Sequence, residues 1–247
     1  MNELDFDTTA VPVREGLADV HRRTWRRLAE AGTWWDGATR VAIAAEVRNV
    51  AACALCDSRK AALSPYAVTG THDSLGGLPE PLVDVIHRIV SDPGRLSQSW
   101  LNGILAEGLS DAEYVETVGV IVNVLAVDQC RRGIGLGPIP LPDPVPGEPT
   151  RTRPEGAKPG PAWVPLLAPE DVSEAEADLY PDTPLVSYVL QALSLVPAET
   201  RAYNEIAHEQ YTPAGASWDL DRQVREITFA QVELIASKVS VLNGCFY

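Results

Sequence analysis

Apolar residues recur at helical spacing along most of the chain. Leu17, Val20, Trp25 and Leu28 predict a first helix. A second helix is predicted to begin after Asp36, whose side chain is of a type that often caps a helix N-terminus. Further helices are predicted over residues 82–90, 186–193, 197–206 and 219–242, the last with Val224, Ile227, Val232, Ile235 and Val239 on one face.

The segment from Tyr114 to Cys130 is rich in valine, so propensity alone also allows a strand. Its length and the capping box formed by Ser110 and Glu113 favour a buried helix. Cys130 is then expected to be a core residue of that helix.

A proline-rich segment interrupts the helical pattern. Residues 138–169 contain eleven of the twenty prolines, and proline removes a backbone donor and fixes φ. This segment is predicted to be an extended connector that packs along the surface. We therefore expect three parts: a first unit over residues 1–137, the connector, and a second unit over residues 170–247.

The two predicted units contain similar segments. When residues 39–53 are placed over residues 231–245, the cysteines coincide, and so do Ile43 with Ile235 and Ala44 with Ala236. Each segment is an apolar helix that leads into a cysteine. The similarity predicts a duplicated all-α architecture.

Charge and hydropathy limit the classes of partner. The formal net charge is −14, so phosphate-rich partners such as nucleic acid or an anionic membrane would be repelled. No apolar run approaches the roughly 20 residues that a membrane helix needs. The acidic start differs from a secretory signal, so the cytoplasm is the expected location.

The strongest chemical signal is a Cys-x-x-Cys motif, Cys53 to Cys56. In a reducing compartment such a pair is typical of a redox-active dithiol or a metal site rather than a structural disulfide. Tetrahedral zinc needs four ligands, and the lone Cys130 and Cys245 have no histidine near them in ligand spacing, which argues against zinc. Two cysteines that merely pack a helix turn are a further alternative.

The end of the second unit carries a family resemblance. Glu233 lies twelve positions before Cys245, in a helix that ends Asn-Gly-Cys-Phe-Tyr. This resembles the AhpD-like proteins (alkylhydroperoxidase and carboxymuconolactone decarboxylase-like), whose motif is Glu, eleven residues, Cys-x-x-Cys, three residues, His. The second cysteine and the histidine would fall beyond Tyr247. Three explanations stay open: a shortened chain, a degenerate unit, or a selenocysteine codon read as stop.

The first unit has the complementary part of the motif. Cys53 and Cys56 match the dithiol, whereas Val41 and Lys60 occupy the positions of the family's Glu and His. The resemblance implies that Cys56 attacks a peroxide and that Cys53 resolves the product to a disulfide. Glu46, the nearest upstream carboxylate, is a candidate for the missing relay residue.

Charge near the dithiol provides a hypothesis for its activation. Lys60 follows Cys56 by four residues, so its ammonium would lie on the same helical face and stabilise a thiolate. The positive charge of Arg59 would also stabilise the Cys56 thiolate, whereas the negative charge of Asp57 would destabilise it. His72 lies in a loop that can border a site, and a polar position on a helix is the default interpretation of His87.

The resemblance implies an AhpD-like helical bundle acting as a thiol-dependent hydroperoxidase or dithiol–disulfide oxidoreductase. It implies a hydroperoxide or disulfide substrate, a dithiol electron donor, a homo-oligomer, and no bound cofactor or metal. Two alternatives are a carboxymuconolactone decarboxylase-like enzyme without redox chemistry and a non-catalytic scaffold. Val41 and Lys60 at the relay positions favour the scaffold, and the dithiol disfavours the decarboxylase.

Overall fold

The structure, a computed structural model, describes residues 6, 9, 11–181, 186–213, 221–223 and 225–245. Over these residues it contains helices and isolated β-bridges but no strand, which confirms the all-α prediction. In the same residues, no helix has the length and apolarity needed to cross a membrane. The α-helices are α1 (Glu15–Ala29), α2 (Gly37–Asn49), α3 (Ala54–Ala61), α4 (Glu80–Ser91), α5 (Gln98–Ala106), α6 (Asp111–Gly133), α7 (Tyr188–Gln191), α8 (Pro197–Gln210) and α9 (Phe229–Leu242).

Helices α2, α4 and α6 pack against one another at the centre, and α1 and α8 complete the core. The short helix α3 packs on α4. Because α8 contacts both α1 and α6, residues on the two sides of the proline-rich connector share one core. The largest fully buried apolar side chains of this core include Ile43, Leu82, Ile86, Ile121 and Ile206.

The valine-rich segment is a helix, as its cap predicts. The Ser110 hydroxyl accepts a hydrogen bond from the Glu113 amide, and the Glu113 side chain accepts one from the Ser110 amide. With both amides satisfied, α6 begins at Asp111 and runs for 23 residues. Local capping and length therefore outweigh the strand propensity of valine here.

The first part of the proline-rich connector, residues 138–150, has no regular secondary structure and is hydrogen-bonded to helices. The indole of Trp25 donates a hydrogen bond to the Pro140 carbonyl, and Arg48 donates one to the Ile139 carbonyl. Further along, the Val145 amide donates to the carbonyl of Ala29. The segment thus uses main-chain hydrogen bonds to helices instead of forming a regular element of its own.

The prediction for the last helix is wrong at its start. It was expected from residue 219, but α9 begins at Phe229 because Thr228 and Gln231 form a capping box there. Residues 221–223 and 225–228 are not helical, and Asp219 and Val224 lie outside the described residues. The predicted inward face is also only partly buried: Val232 is buried, whereas Ile235 and Val239 are exposed.

A buried ion cluster joins three core helices. The Arg40 guanidinium on α2 lies 2.5 Å from a Glu116 carboxylate oxygen on α6 and 2.7 Å from one of Glu199 on α8. All three side chains are buried. Two carboxylates thus depend on a single guanidinium for their counter-charge, and burial raises the pKa of Glu116.

Replacing Arg40 by leucine is expected to lower the free energy of unfolding by about 3–5 kcal/mol, because it leaves buried carboxylates without a partner. Urea unfolding followed by circular dichroism measures the change. The matched control is Arg201→Leu, which removes an exposed pair with Asp178 and should cost about 1 kcal/mol or less. Equal losses in the two variants would contradict this role of the cluster.

Candidate functional site

The two cysteines lie where α2 leads into α3. A 3₁₀ turn, Val50–Ala52, follows α2, and Cys53 is the N-cap residue of α3, with Cys56 in the first turn. The sulfur-bearing side chains are buried, with exposures of 0% for Cys53 and 3% for Cys56. They approach each other to 3.6 Å, and no disulfide joins them.

Two histidines converge on this pair. His72, from the loop between α3 and α4, places its Nδ1 3.5 Å from the Cys53 sulfur and 3.6 Å from the Cys56 sulfur. His87, on α4, places its Nδ1 3.3 Å from the Cys56 sulfur. The ring centroids are 4.3 Å apart. The sulfurs of Cys53 and Cys56 and one ring nitrogen of each histidine lie within 4.8 Å of one another, and all four residues are buried.

A carboxylate orients each imidazole from behind. His87 Nε2 lies 2.8 Å from the Glu46 carboxylate, and His72 Nε2 lies 2.8 Å from the Asp84 carboxylate. An ionised carboxylate only accepts hydrogen bonds, so we assign a proton on Nε2 to each ring. For His72 this assignment follows the shorter contact, with Asp84, since the donor nitrogen of Arg59 also lies 3.0 Å from the same Nε2. The Nδ1 atom of both rings is therefore the atom that faces the sulfurs.

Further donors keep both carboxylates ionised. Glu46 also accepts hydrogen bonds from the Asn49 amide group and the Leu75 backbone N–H. Burial opposes the charge of Glu46, but these bonds and the one from His87 prevail and lower its pKa.

Asp84 is held in the same way. It accepts hydrogen bonds from the indole of Trp100 at 2.6 Å and from Arg59 at 3.0 Å, and Arg88 lies beside it. Despite burial, the bond from His72, the bond from Trp100 and the nearby guanidiniums hold the pKa of Asp84 well below its usual range.

The pKa shifts of Cys56, His72 and His87 favour an ion pair. Burial opposes a thiolate at Cys56, but hydrogen bonds with His72 and His87 outweigh it and lower its pKa to about 6. Burial likewise opposes a charged His72, yet Asp84 and the two sulfurs raise its pKa to about 10. The pKa of His87 is also raised, since contacts with Cys56 and Glu46 exceed the cost of burial. The geometry thus supports a thiolate beside an imidazolium.

The loop that carries His72 is attached to the dithiol segment by its neighbours. The Asp73 carboxylate accepts a hydrogen bond from the Ala54 N–H at the start of α3, and the Asp73 carbonyl accepts one from Asn49. The Leu75 N–H donates to Glu46. These contacts position His72 over the sulfurs although no helix carries it.

In comparisons with known proteins, no family model, curated protein or solved structure matches the chain. The interpretation of the site therefore rests on its own geometry.

The structure brings only some of the sequence-predicted residues to the dithiol. Glu46 is connected to Cys56 through the ring of His87, which is hydrogen-bonded to the Glu46 carboxylate and contacts the Cys56 sulfur. Lys60 is exposed on the last turn of α3, and the groups that contact the Cys56 sulfur include two imidazoles. Glu233 on α9 accepts a hydrogen bond from the Tyr211 hydroxyl.

The other two cysteines lie apart from this cluster. Cys245 is exposed, and Cys130 is half-buried in α6, where burial raises its pKa.

His72, His87 and Asp84 were missed as partners of the dithiol. One signal was available: His87 occupies the apolar face of α4 among Val83, Ile86 and Val90, a position where a buried histidine needs polar partners. His72 was singled out only as part of a loop that can border a site, and nothing in the local sequence marks Asp84. The contact of His72 with the dithiol and with Asp84 depends on how the loop folds over α4.

Burial predicts an order of thiol labelling in the native protein. A maleimide is expected to modify Cys245 first, because its side chain is exposed, whereas Cys53 and Cys56 should react only as the structure opens. Peptide mass spectrometry after brief labelling measures the order, and denaturant should abolish the difference. Native labelling of Cys53 or Cys56 as fast as that of Cys245 would contradict their enclosure.

Proposed function

We propose that Cys53 and Cys56 form a dithiol–disulfide redox centre that reduces hydroperoxides. The observation that carries this proposal is the contact of the Cys56 sulfur with two buried imidazoles, each hydrogen-bonded to a carboxylate. A thiolate is the reactive form of cysteine, and neighbouring imidazolium groups favour it. Among the described residues, the Cys53 sulfur has one imidazole at hydrogen-bond distance, His72, whereas the Cys56 sulfur has two, so Cys56 is the better-activated nucleophile.

The reaction consumes one hydroperoxide and two thiols. The Cys56 thiolate attacks the terminal hydroxyl oxygen of the hydroperoxide, so that an S–O bond forms and the O–O bond breaks. The alkoxide that leaves takes up a proton and becomes an alcohol. Cys53 then attacks the Cys56 sulfenic acid, an S–S bond forms, and hydroxide leaves as water with a second proton. An external dithiol reduces the disulfide by thiol–disulfide exchange.

His87 is the proposed proton donor to the leaving alkoxide. Its Nδ1 lies 3.3 Å from the Cys56 sulfur, and Glu46 stabilises its imidazolium form through Nε2. Glu46 is thus a positioning residue that acts through His87. This arrangement supplies a carboxylate and an imidazole although Val41 and Lys60 occupy the corresponding motif positions.

Substrate access requires movement of the loop that carries His72. Both sulfurs are enclosed, and the loop is attached to them through Asp73 and Leu75 rather than through a helix. Gly76 has φ +77° and Gly77 follows it, so the chain beyond the attachment contains residues of high conformational freedom. Opening at this point would expose the dithiol without disturbing α2 and α4.

The proposal extends to an AhpD-like protein with two related units. Its support is the recurrence of a helix that leads into a cysteine, α2 before Cys53 and α9 before Cys245. Exposed apolar side chains on α9, among them Leu234 and Leu242, support association into a homo-oligomer.

Single-cysteine variants test the assignment of roles. In a Cys130→Ser/Cys245→Ser background, an organic hydroperoxide is expected to remove both remaining thiols and yield the Cys53–Cys56 disulfide. Adding Cys53→Ser should leave a sulfenic acid on Cys56 that dimedone traps, and adding Cys56→Ser should abolish the trapping. Intact-protein mass spectrometry measures each product. Unchanged thiols in the folded, metal-free background protein would remove the peroxidase function and leave a scaffold.

A second pair of variants separates the imidazole from the lysine as the activating group. His87→Asn is expected to slow the oxidation of Cys56 by about 10²- to 10⁴-fold, the usual contribution of a general acid or base. Lys60→Ala should cause a much smaller change, because the side chain is exposed. Stopped-flow rates with circular dichroism as a folding control provide the comparison. A large loss in Lys60→Ala alone would restore the charge hypothesis drawn from the sequence.

A further inference from the structure

Four distances among Cys53, Cys56, His72 and His87 are close to the edges of a tetrahedron about a zinc ion, and the four ligand atoms all lie within 4.8 Å of one another. Zn–S and Zn–N bonds of about 2.3 and 2.0–2.1 Å give edges of about 3.8 Å between sulfurs and about 3.6 Å between sulfur and nitrogen. The corresponding distances are 3.6 Å between the cysteines and 3.5, 3.6 and 3.3 Å from sulfur to Nδ1.

We propose that these four residues bind one Zn²⁺ ion in a closed Cys₂His₂ site. Zinc binding by these residues does not require that the dithiol reduces hydroperoxides. Two sulfurs and two imidazole nitrogens are a ligand set that suits zinc, and the set contains no carboxylate or carbonyl oxygen of the kind that Mg²⁺ or Ca²⁺ prefers.

Hydrogen bonding alone does not explain the position of His72. Its Nδ1 has one lone pair or one proton, yet it lies almost equally far from two sulfurs, at 3.5 and 3.6 Å. A directional hydrogen bond would favour one of them. A cation located between the two sulfurs and the two Nδ1 atoms accounts for the positions of all four atoms at once.

The carboxylates behind the rings are a second, independent observation. Histidines that ligate zinc commonly donate their other N–H to a carboxylate, which fixes the tautomer and increases ligand basicity. Here Glu46 accepts from His87 Nε2 and Asp84 accepts from His72 Nε2, both at 2.8 Å. Both rings therefore direct Nδ1 at the same point, and its lone pair becomes available to a metal ion once the Nδ1 proton of the imidazolium form is released.

Charge and burial fit a zinc ion as well. Two thiolates balance the charge of Zn²⁺, so the centre is neutral where an uncompensated buried charge would be costly. All four ligands come from the chain and are buried, which is typical of a structural site rather than one that keeps a position open for water. The ion would join α3, α4 and the loop of His72.

Metal analysis of the full chain tests the proposal. Protein produced with zinc in the medium and dialysed against metal-free buffer is expected to retain one zinc per chain by inductively coupled plasma mass spectrometry. Cys53→Ser/Cys56→Ser should lose it, and the matched control Cys130→Ser/Cys245→Ser should keep it. Absence of zinc from folded, fully reduced protein, or the reverse pattern in the two variants, would overturn the site.

Cobalt substitution keeps the test valid if a ligand variant fails to fold. Wild-type protein stripped with a chelator and given Co²⁺ should show the intense visible bands of a tetrahedral ion and a thiolate-to-cobalt charge-transfer band. A weak octahedral spectrum without the charge-transfer band would count against the proposal.

Variants of the two carboxylates that accept hydrogen bonds from the ligand histidines test the affinity for zinc without removing a ligand. Glu46→Gln and Asp84→Asn are each expected to weaken zinc about 10- to 100-fold in competition with a chromophoric chelator. Asp128→Asn is the matched control, since Asp128 pairs with Arg48 away from the sulfurs, and its affinity should equal that of wild type. Equal affinities in all three variants would contradict the assigned roles of Glu46 and Asp84.

Zinc binding and peroxide reduction can fail separately. Zinc content is measured without oxidant, and thiol oxidation is measured on metal-free protein. If zinc binds and the metal-free thiols resist hydroperoxide, the redox function fails and the metal site stands. If the metal-free thiols react and zinc does not bind, the metal site fails alone. If both hold, zinc-loaded protein should lose its thiols more slowly, because the metal holds the sulfurs apart.

Discussion

Two buried hydrogen bonds, from His87 to Glu46 and from His72 to Asp84, determine which ring nitrogens face the dithiol. Because each carboxylate fixes a proton on Nε2, each Nδ1 is directed at the sulfurs. The lowered pKa of Cys56 and the convergence of four potential ligand atoms both depend on this orientation. Without the carboxylates, the same four residues could form a loosely packed polar cluster of no defined chemistry.

The helical core makes this orientation possible. Glu46 is on α2, and His87 and Asp84 are on α4, two helices that pack directly against each other. The Arg40 cluster ties α2 to α6 and α8, so the helix that leads into Cys53 is held from the opposite side as well. His72 is the exception, because a loop carries it and only a few hydrogen bonds hold that loop in place. Side chains carried by helices and one carried by a loop thus meet at the dithiol.

The sequence predicted those features that depend on local signals. Helix caps at Asp36 and Ser110 gave the starts of α2 and α6, and the Cys-x-x-Cys spacing gave the dithiol. The cap at Thr228 was overlooked, so α9 was predicted about ten residues too early. The partners of the dithiol could not be predicted in this way. The two imidazole–carboxylate pairs join residues that are 12 and 41 positions apart along the chain, and they meet the dithiol only after α4 packs on α2 and α3. The sequence argument against zinc failed to include these histidines for the same reason.

The orientation of the imidazoles is the claim on which both proposals depend, and nitrogen-15 NMR of the histidine rings tests it most directly. The two-bond correlations of His72 and His87 report which ring nitrogen carries a proton. We expect a proton on Nε2 of both rings in metal-free protein and in the zinc-loaded form, where Nδ1 is bound to the metal. A neutral Nδ1–H tautomer in either ring would contradict the account, because its lone pair would then point away from the sulfurs.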